Sequence, residues 1–166
     1  MRMTIVVDVQ NDFIDGALGS AEAQAIITKL VNKLENIQNE LIFTQDTHKD
    51  NYLETTEGKF LPIVHCLKNT FGWDIAPEIQ PFVSKGTVIE KSSFGSTRLP
   101  SLLKKYDEVE LCGLCTDICV ISNALLIQAF YPAKTIIIDS QCCAGSTVEA
   151  HQAALLVMKN CGCVIN

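Results

Sequence analysis

The sequence LCGLCTDICV, at Leu111–Val120, lies where one kind of structure gives way to another. It ends an apolar segment, begun at Glu108, that is typical of a buried strand, and Gly113 marks the break after it. Thr116 is a favourable N-cap residue, and Asp117 follows in what the pattern predicts to be the first turn of an apolar helix. The stretch therefore predicts a strand, a tight turn and a buried helix.

Cys119 falls at the start of that predicted helix. Unpaired backbone N–H groups at a helix start stabilise a thiolate, so we expect a lowered pKa for Cys119. A nucleophile on a strand-to-helix turn is a recurrent basis for acyl transfer. The alternative is one more buried cysteine, because a free cysteine packs well as a small hydrophobic residue. The stretch by itself leaves both interpretations open.

The bulk composition narrows the class of protein. A chain of 166 residues is expected to form a single domain, over residues 1–166. Its 48% apolar and 19% charged residues exclude a disordered protein. The net charge of −6 argues against nucleic acid or an anionic membrane as a partner. No run approaches the roughly 18 apolar residues needed to cross a bilayer.

The eight cysteines favour a reduced protein over a disulfide framework. Most of them lie in apolar segments, and the N-terminal sequence does not resemble a signal peptide, so a cytoplasmic location is expected. Cys112 and Cys115 form a CxxC pair, but no second pair stands at a matching distance. A structural zinc site is therefore not expected.

Short apolar strands alternate with helical patterns along the whole chain. Strands are predicted at 4–9, 40–44, 87–90, 108–112, 134–139 and 163–165. Helices are predicted at 20–38, 99–105, 116–130 and 146–160. The segment 49–81 has little regular pattern, and a loop of that length is usually functional. This alternation predicts an α/β fold with a parallel sheet covered on both faces.

Polar residues follow four of these strands at their carboxyl ends, where α/β sheets carry their working residues. Asp8 follows the first, Asp46 and His48 the second, Lys91 the third, and Cys119 the fourth. A carboxylate can take a proton from a cysteine, and a lysine can stabilise the resulting anions. These positions predict a nucleophilic site built from Asp8, Lys91 and Cys119. The alternatives are a turn-capping aspartate and a surface lysine.

A second group has the character of metal ligands. In an extended segment Asp46 and His48 point to the same side, because side chains alternate with period two. His65, in the long loop, could complete a two-histidine, one-carboxylate set, with Glu54 as a fourth ligand. Such a set suits zinc, manganese or iron. A DxH pair is common, however, so spacing alone leaves an ordinary loop open.

Three parts of the chain together resemble the isochorismatase-like cysteine hydrolases, a family that includes the nicotinamidases. They are VVDVQNDF at Val6–Phe13, the lysine Lys91, and GLCTDICV at Gly113–Val120. The resemblance extends over residues 3–165, in the order and spacing of the family. It implies a three-layer α/β/α fold with a six-stranded parallel sheet.

The resemblance also implies roles for individual residues. Asp8 would be the general base, Lys91 its partner and Cys119 the nucleophile. A cis peptide bond between Leu114 and Cys115 is implied, with the backbone N–H groups of Cys115 and Cys119 forming an oxyanion hole. The implied reaction is hydrolysis of a small carboxamide through a thioester, with release of ammonia.

In the nicotinamidases a divalent ion holds the pyridine nitrogen and water. The resemblance therefore makes Asp46, His48 and His65 the implied ligands of such an ion, with zinc as the first choice and manganese or iron as alternatives. No organic cofactor is implied. The family also implies a homodimer or homotetramer.

The chain departs from the nicotinamidase pattern near its substrate and metal motifs. Phe13 and Leu114 occupy the implied substrate-binding positions, Phe13 against the substrate ring. The third histidine after the DxH segment is missing, with Glu54 near its place, and Leu61–Val64 replaces a tryptophan. These differences leave the identity of the substrate open.

Two further hypotheses stay beside the amidase. One is vinyl-ether hydrolysis of isochorismate, a branch that needs neither the cysteine nor a metal. The other is a redox-responsive or ligand-binding protein on the same fold, suggested by the eight cysteines. The DxH…H motif argues against the first. Alkylation kinetics separate the second from an enzyme, because an enzyme should have one fast-reacting, substrate-protected thiol.

Overall fold

The centre of the structure, a computed structural model of residues 1–166, is a parallel sheet with the strand order β3-β2-β1-β4-β5-β6. The strands are β1 (Arg2–Val7), β2 (Glu40–Asp46), β3 (Gly86–Lys91), β4 (Glu108–Leu114), β5 (Thr135–Ala144) and β6 (Val164–Ile165). The predicted six-stranded α/β fold is confirmed, and each predicted strand is present, although β5 continues five residues beyond its predicted end at Asp139.

The helices fall between the strands. They are α1 (Asn11–Ile14), α2 (Ala21–Asn36), α3 (Thr56–Phe60), α4 (Gln80–Val83), α5 (Leu99–Leu102), α6 (Ile121–Phe130) and α7 (Val148–Asn160). A 3₁₀ turn covers Tyr52–Glu54, and a π-helical turn covers Thr116–Val120. The predicted long helix at 116–130 is therefore a π turn followed by an α-helix.

The sheet is covered on both faces, as its apolar strands predict. The side chains of the last five residues of β1 point alternately to the two faces of the sheet, and all five are buried. Helix α2 packs on β4 and β5, and α6 and α7 also pack on β5. Layers of helices on the two faces therefore bury the sheet, and the ends of its strands remain to form a site.

Helix α6 is less buried than its apolar sequence predicts. Leu125 and Leu126 are only partly buried, and Phe130 is exposed over 62% of its surface. The core contacts of α6 come from Ala124 and Ile127, because a helix packed on one side buries one face. No helix of the structure is long and apolar enough to pass through a membrane.

The two central strands end with unusual backbone. Asp8, directly after β1, has a φ of 48°, and Gly113 in β4 has a φ of 115°. A Cβ at Gly113 would overlap the backbone oxygen of Val7 on β1. Glycine is therefore required where the chain begins to turn out of β4, because only glycine allows both this φ and this approach.

Candidate active site and metal centre

Four neighbouring strands deliver the residues that the sequence placed at strand ends. Lys91 ends β3, Asp46 ends β2, Asp8 follows β1, and Cys119 lies on the turn after β4. All four side chains are buried. Their meeting follows from the parallel topology, since the carboxyl ends of all these strands lie at one edge.

The Lys91 ammonium lies at the centre of this group. Its Nζ is 2.7 Å from Asp8 Oδ2, 3.1 Å from Asp46 Oδ1 and 3.5 Å from the Sγ of Cys119, and it donates a hydrogen bond to the Ser93 carbonyl at 3.0 Å. Burial lowers the pKa of Lys91, but the charges of Asp8, Cys119 and Asp46 outweigh it and raise that pKa well above its usual value. Lys91 therefore stays charged between two carboxylates and the thiol.

The two oxygens of Asp8 have different surroundings. Oδ1 accepts a hydrogen bond from the Thr44 hydroxyl at 2.7 Å. Oδ2 is buried, and its one polar neighbour is the Lys91 Nζ, an ion-pair contact at 2.7 Å. Burial raises the pKa of Asp8 against the lowering effect of Lys91. Oδ2 is thus a buried acceptor free to take a proton.

The expected lowering of the Cys119 pKa is wrong. Burial, and next the negative charge of Asp8, raise the pKa of the Cys119 thiol well above its usual value, although Lys91 acts in the opposite direction. The start of the π turn does not outweigh the loss of water around a fully buried thiol. Cys119 is therefore a protonated thiol that depends on a base.

The turn that carries Cys119 is held from the side of α7. Thr116 does not cap a helix; its Oγ1 is 2.8 Å from Nδ1 of His151, a residue to which the sequence assigned no role. Asp117 accepts hydrogen bonds from the backbone N–H and the hydroxyl of Ser146, at 2.8 and 2.6 Å. The peptide bond between Leu114 and Cys115 is cis.

A cluster of four potential metal ligands lies beside Lys91. One ligand atom from each of Asp46, His48, Glu57 and His65 lies within 4.8 Å of the others. Nε2 of His48 is 3.0 Å from Asp46 Oδ2 and 3.6 Å from Glu57 Oε1. Nε2 of His65 is 3.7 and 3.8 Å from the same two oxygens. The two imidazoles and two carboxylates therefore face one common point.

Glu54, predicted as the fourth ligand, does not belong to this cluster. It lies exposed on the 3₁₀ turn, and Glu57 on α3 takes its place. Thr55 caps α3 by accepting a hydrogen bond from the Gly58 N–H, which fixes the helix start one residue before Glu57. Sequence distance from His48 suggested Glu54, but the short helix turns Glu57 inward instead.

His65 reaches the cluster because the irregular segment is tied to the sheet. The His48 N–H donates to the Cys66 carbonyl at 2.9 Å, and the Lys68 N–H donates to the His48 carbonyl at 3.0 Å. The Cys66 N–H donates to Asp12 Oδ2 at 2.7 Å. The bonds of His48 form one parallel bridge, between His48 and Leu67, just beyond the end of β2. His65 lies two residues before Leu67 and is thereby held near His48.

The donor set fits a divalent transition-metal ion. Two imidazole nitrogens and two carboxylate oxygens suit zinc, and also manganese or iron. Nδ1 of His65 is 2.8 Å from the Ile63 carbonyl, which leaves Nε2 for a metal. Burial raises the pKa of Glu57, and repulsion between the Asp46 and Glu57 carboxylates raises it further. A bound cation would relieve that repulsion by attracting both carboxylates.

A small cavity opens onto Cys119 and the metal cluster. Its lining includes Phe13, Phe94 and Ile118 together with Cys119 and metal-cluster residues. Phe13 therefore lies where a substrate residue was predicted. Phe94, which follows Lys91 by three residues, could by its sequence equally be a plain core residue, because a phenylalanine after a strand has no distinguishing sequence signal.

Leu114 does not line this cavity. It is fully buried at the end of β4, and a substrate contact for Leu114 stays a prediction. Cys115, the next residue, does line the cavity. All eight cysteines are free, as a reduced protein requires.

The whole chain is similar to known proteins. The family model described as Isochorismatase domain matches residues 2–166. The chain is 30% identical to the uncharacterized isochorismatase family protein PncA of Bacillus subtilis, over 93% of the chain and 92% of that protein. The solved pyrazinamidase/nicotinamidase of Streptococcus mutans is 28% identical, with a TM-score of 0.85 and 100% of both chains covered.

A zinc-bound structure is also similar. The pyrazinamidase of Pyrococcus horikoshii in complex with zinc is 26% identical, with a TM-score of 0.81, over 99% of this chain and 98% of that one. The family match, the shared fold and the relatives agree with one another over the full length. The chain therefore belongs to the isochorismatase family, and relatives named nicotinamidase share its fold and length.

Proposed function

We propose that the chain hydrolyses a small carboxamide such as nicotinamide, with Cys119 as nucleophile and ammonia as the first product. The observation that carries this proposal is the Lys91 ammonium, 2.7 Å from Asp8 Oδ2 and 3.5 Å from the Cys119 Sγ. All three groups are buried, and Cys119 lines a cavity whose walls are mostly apolar and aromatic.

The first step is activation of the thiol. The Cys119 pKa is raised by burial, so the thiol needs a base as it attacks. Asp8 Oδ2 is a buried acceptor without a hydrogen bond, and it takes the thiol proton. Lys91 compensates the negative charge that passes from Asp8 to sulfur, and Thr44 keeps the other oxygen of Asp8 in place.

The sulfur then attacks the carboxamide carbon. A C–S bond forms while the carbonyl π electrons move to oxygen, and the resulting oxyanion is held by the backbone N–H groups of Cys115 and Cys119. Asp8 returns its proton to the amide nitrogen, the C–N bond breaks, and ammonia leaves a thioester on Cys119. Water attacks the thioester carbon as Asp8 accepts one of its protons, and the C–S bond breaks. Asp8 then returns that proton to the sulfur, which releases the carboxylic acid and restores the Cys119 thiol.

Asp46, His48, Glu57 and His65 would hold a divalent cation, zinc first among the candidates. When bound, the cation supplies Lewis-acid attraction for a lone pair of the substrate or of water. Asp46 has a further part of its own, because its Oδ1 accepts a hydrogen bond from Lys91 at 3.1 Å. Occupation of the metal centre and the charge of Lys91 are therefore linked through one carboxylate.

The cavity favours a flat, mostly apolar substrate. Phe13 and Phe94 provide aromatic walls, and Leu18, Leu61 and Ile118 complete an apolar surface. Aromatic rings prefer stacked or edge-on contacts with other rings, so an aromatic carboxamide fits this surface better than a charged or branched amide. Nicotinamide, pyrazinamide and benzamide share this shape and differ in their ring nitrogens.

Ammonia release from these three carboxamides by zinc-loaded protein tests the proposal. We expect hydrolysis of at least one of them, and its loss by about a thousandfold or more in Cys119→Ala, because the nucleophile is removed. Cys161→Ala is the matched control, since that thiol is exposed and far along the chain from the turn. Wild-type turnover in Cys119→Ala, or no hydrolysis of any of the three, would contradict the proposal.

A further inference from the structure

Asn123 is a fully buried polar residue one helical turn beyond Cys119. Its Nδ2 donates hydrogen bonds to the Cys119 carbonyl at 2.8 Å and to the Phe94 carbonyl at 3.2 Å. Its Oδ1 accepts a hydrogen bond from the Ser96 N–H at 2.8 Å. Both amide hydrogens and the amide oxygen are used, so the side chain is satisfied by three backbone partners.

Those partners belong to two separate parts of the site. Cys119 lies on the π turn, whereas Phe94 and Ser96 lie in the irregular loop between β3 and α5. Phe94 and Cys119 both line the cavity. A single side chain therefore joins the turn that carries the thiol to the loop that carries one aromatic wall.

The loop has few other restraints near Phe94. Residues 92–95 are bends without strand or helix hydrogen bonds. Lys91 holds the Ser93 carbonyl, and the loop backbone packs on α6, where a Cβ at Gly95 would be 3.5 Å from the Ser122 carbonyl oxygen. The Phe94 carbonyl and the Ser96 N–H are fixed by Asn123 alone among side chains.

We propose, on the basis of the proposed amide hydrolysis, that Asn123 is a positioning residue that sets substrate affinity by holding Phe94 against the cavity. It acts through the loop backbone and touches no substrate atom. The hydrogen bond to the Cys119 carbonyl fixes the Asn123 side chain on its own helical segment. The two hydrogen bonds to the loop then fix the backbone on both sides of Phe94, and so the position of its ring.

Two substitutions separate these contacts. In Asn123→Thr the hydroxyl can still donate to the carbonyl four residues earlier, that of Cys119, as threonines in helices do. One hydroxyl hydrogen cannot also serve Phe94, and the loop loses both of its bonds. Asn123→Ala removes all three bonds.

Steady-state kinetics with nicotinamide and zinc-loaded protein test the proposal. For Asn123→Thr we expect KM to rise about tenfold, which corresponds to the loss of one or two neutral hydrogen bonds, with kcat within about twofold of wild type. In the double variant with Phe94→Ala, KM should equal that of Phe94→Ala alone, because the two residues act in series. Independent, multiplying effects on KM, or a fall in kcat at constant KM, would overturn the proposal.

Tyr131→Phe is the matched control. The Tyr131 hydroxyl donates to the Pro100 carbonyl at 2.9 Å, so this change also removes a bond between the α6 region and the chain after β3, but away from the cavity. We expect a lower melting temperature with an unchanged KM. A KM increase in Tyr131→Phe equal to that in Asn123→Thr would mean that loss of stability, and not the position of Phe94, raises KM.

Hydrogen exchange separates a failure of this inference from a failure of the proposed hydrolysis, because it needs no substrate. The Ser96 amide, and with it the peptide spanning 92–97, should exchange faster in Asn123→Thr than in wild type or Tyr131→Phe. Unchanged exchange there refutes the inference even if nicotinamide is hydrolysed. If the wild type hydrolyses no carboxamide, faster exchange together with faster alkylation of Cys119 by iodoacetamide supports the loop restraint, and no change in either refutes it.

Discussion

The Thr44 hydroxyl donates a hydrogen bond to Asp8 Oδ1 at 2.7 Å. This bond links β2 to the residue that follows β1, the neighbouring strand, and that residue is the proposed general base. Thr44 lies on β2 and Asp8 follows β1. Burial raises the pKa of Asp8, whereas this hydrogen bond lowers it by favouring the charged carboxylate. The bond therefore helps to keep Asp8 able to accept a proton.

Replacement of Thr44 by valine should move the acid limb of the pH–rate profile. Thr44→Val removes a donor that lowers the Asp8 pKa, so that pKa rises further and Asp8 is protonated over a wider acid range. We expect kcat/KM at mildly acid pH to fall severalfold, with a smaller loss in the alkaline range. Thr44→Ser keeps the hydroxyl and should match wild type; an acid limb that stays in place in Thr44→Val would contradict the role of Asp8.

Glu57 should contribute to metal affinity and Glu54 should not. Glu57→Gln removes one anionic ligand from the four-residue cluster, so zinc affinity should fall by about tenfold or more, measured by competition with a chromophoric chelator. Glu54→Gln removes the same charge a few residues away, on an exposed side chain. A loss of zinc affinity in Glu54→Gln as large as in Glu57→Gln would reverse this assignment.

A charge cluster remote from the site should make stability depend on pH. Lys33 Nζ lies 2.7 Å from Asp139 Oδ2 and 3.0 Å from Glu110 Oε2, with all three side chains mostly buried. Burial raises the Asp139 pKa, but Lys33 outweighs it, and the pKa lies below its ordinary value of 3.8. A carboxylate with a lowered folded pKa stabilises above its unfolded pKa, and this contribution is lost as pH falls through the folded pKa.

Asp139→Asn should therefore lower the free energy of unfolding by about 2 kcal/mol near neutral pH, between the values for exposed and buried ion pairs. The difference from wild type should shrink as the pH falls below the ordinary carboxylate pKa, as measured by urea unfolding. The exposed Lys105–Glu40 pair is the control, and Glu40→Gln should change stability little at any pH. A pH-independent deficit in Asp139→Asn would mean that lost packing, not charge, destabilises the variant.

Gly113 should be the least replaceable glycine next to the site. Gly113→Ala combines a φ of 115° with overlap between the new methyl group and the Val7 carbonyl, so we expect about 4 kcal/mol of destabilisation or failure to fold. Gly95→Ala meets its nearest atom at 3.5 Å and should melt close to wild type. Equal melting temperatures for the two variants would show that β1 and β4 can separate at this point.

The sequence predicted the parts of this site that depend on topology. Asp8, Asp46, Lys91 and Cys119 each follow an apolar strand, and a parallel sheet brings such positions to one edge whatever the details of packing. His65 was named as a candidate by its residue type, because a second histidine can complete a two-histidine, one-carboxylate set with the DxH pair. The six parallel strands were expected from the family motifs, whereas their order was not predicted and comes from the structure.

The remaining features depend on local geometry that sequence distance does not encode. Glu57 replaces Glu54 because a 3₁₀ turn and a short helix decide which glutamate points inward. The direction of the Cys119 pKa shift depends on burial, which outweighs the position of the residue in the chain. Asn123 had no sequence signal because its importance lies in its backbone partners. Phe94 could not be told from a plain core residue by its side-chain type.

The strand order also has a consequence for how the protein folds. β1 pairs with β2 and with β4, and the register between β1 and β4 joins Arg2 to Glu108, so this central pairing closes most of the chain into one loop. Contacts between residues so distant in sequence form slowly, because loop closure costs entropy before the contact stabilises anything. Asp8 follows β1 and Cys119 follows β4, so the pairing of these two strands is what brings the two residues together. A nascent chain that has been synthesised only as far as β3 still lacks Cys119. Asp8 and Cys119, the proposed base and nucleophile, therefore meet only when β1 pairs with β4, which is a late event in folding.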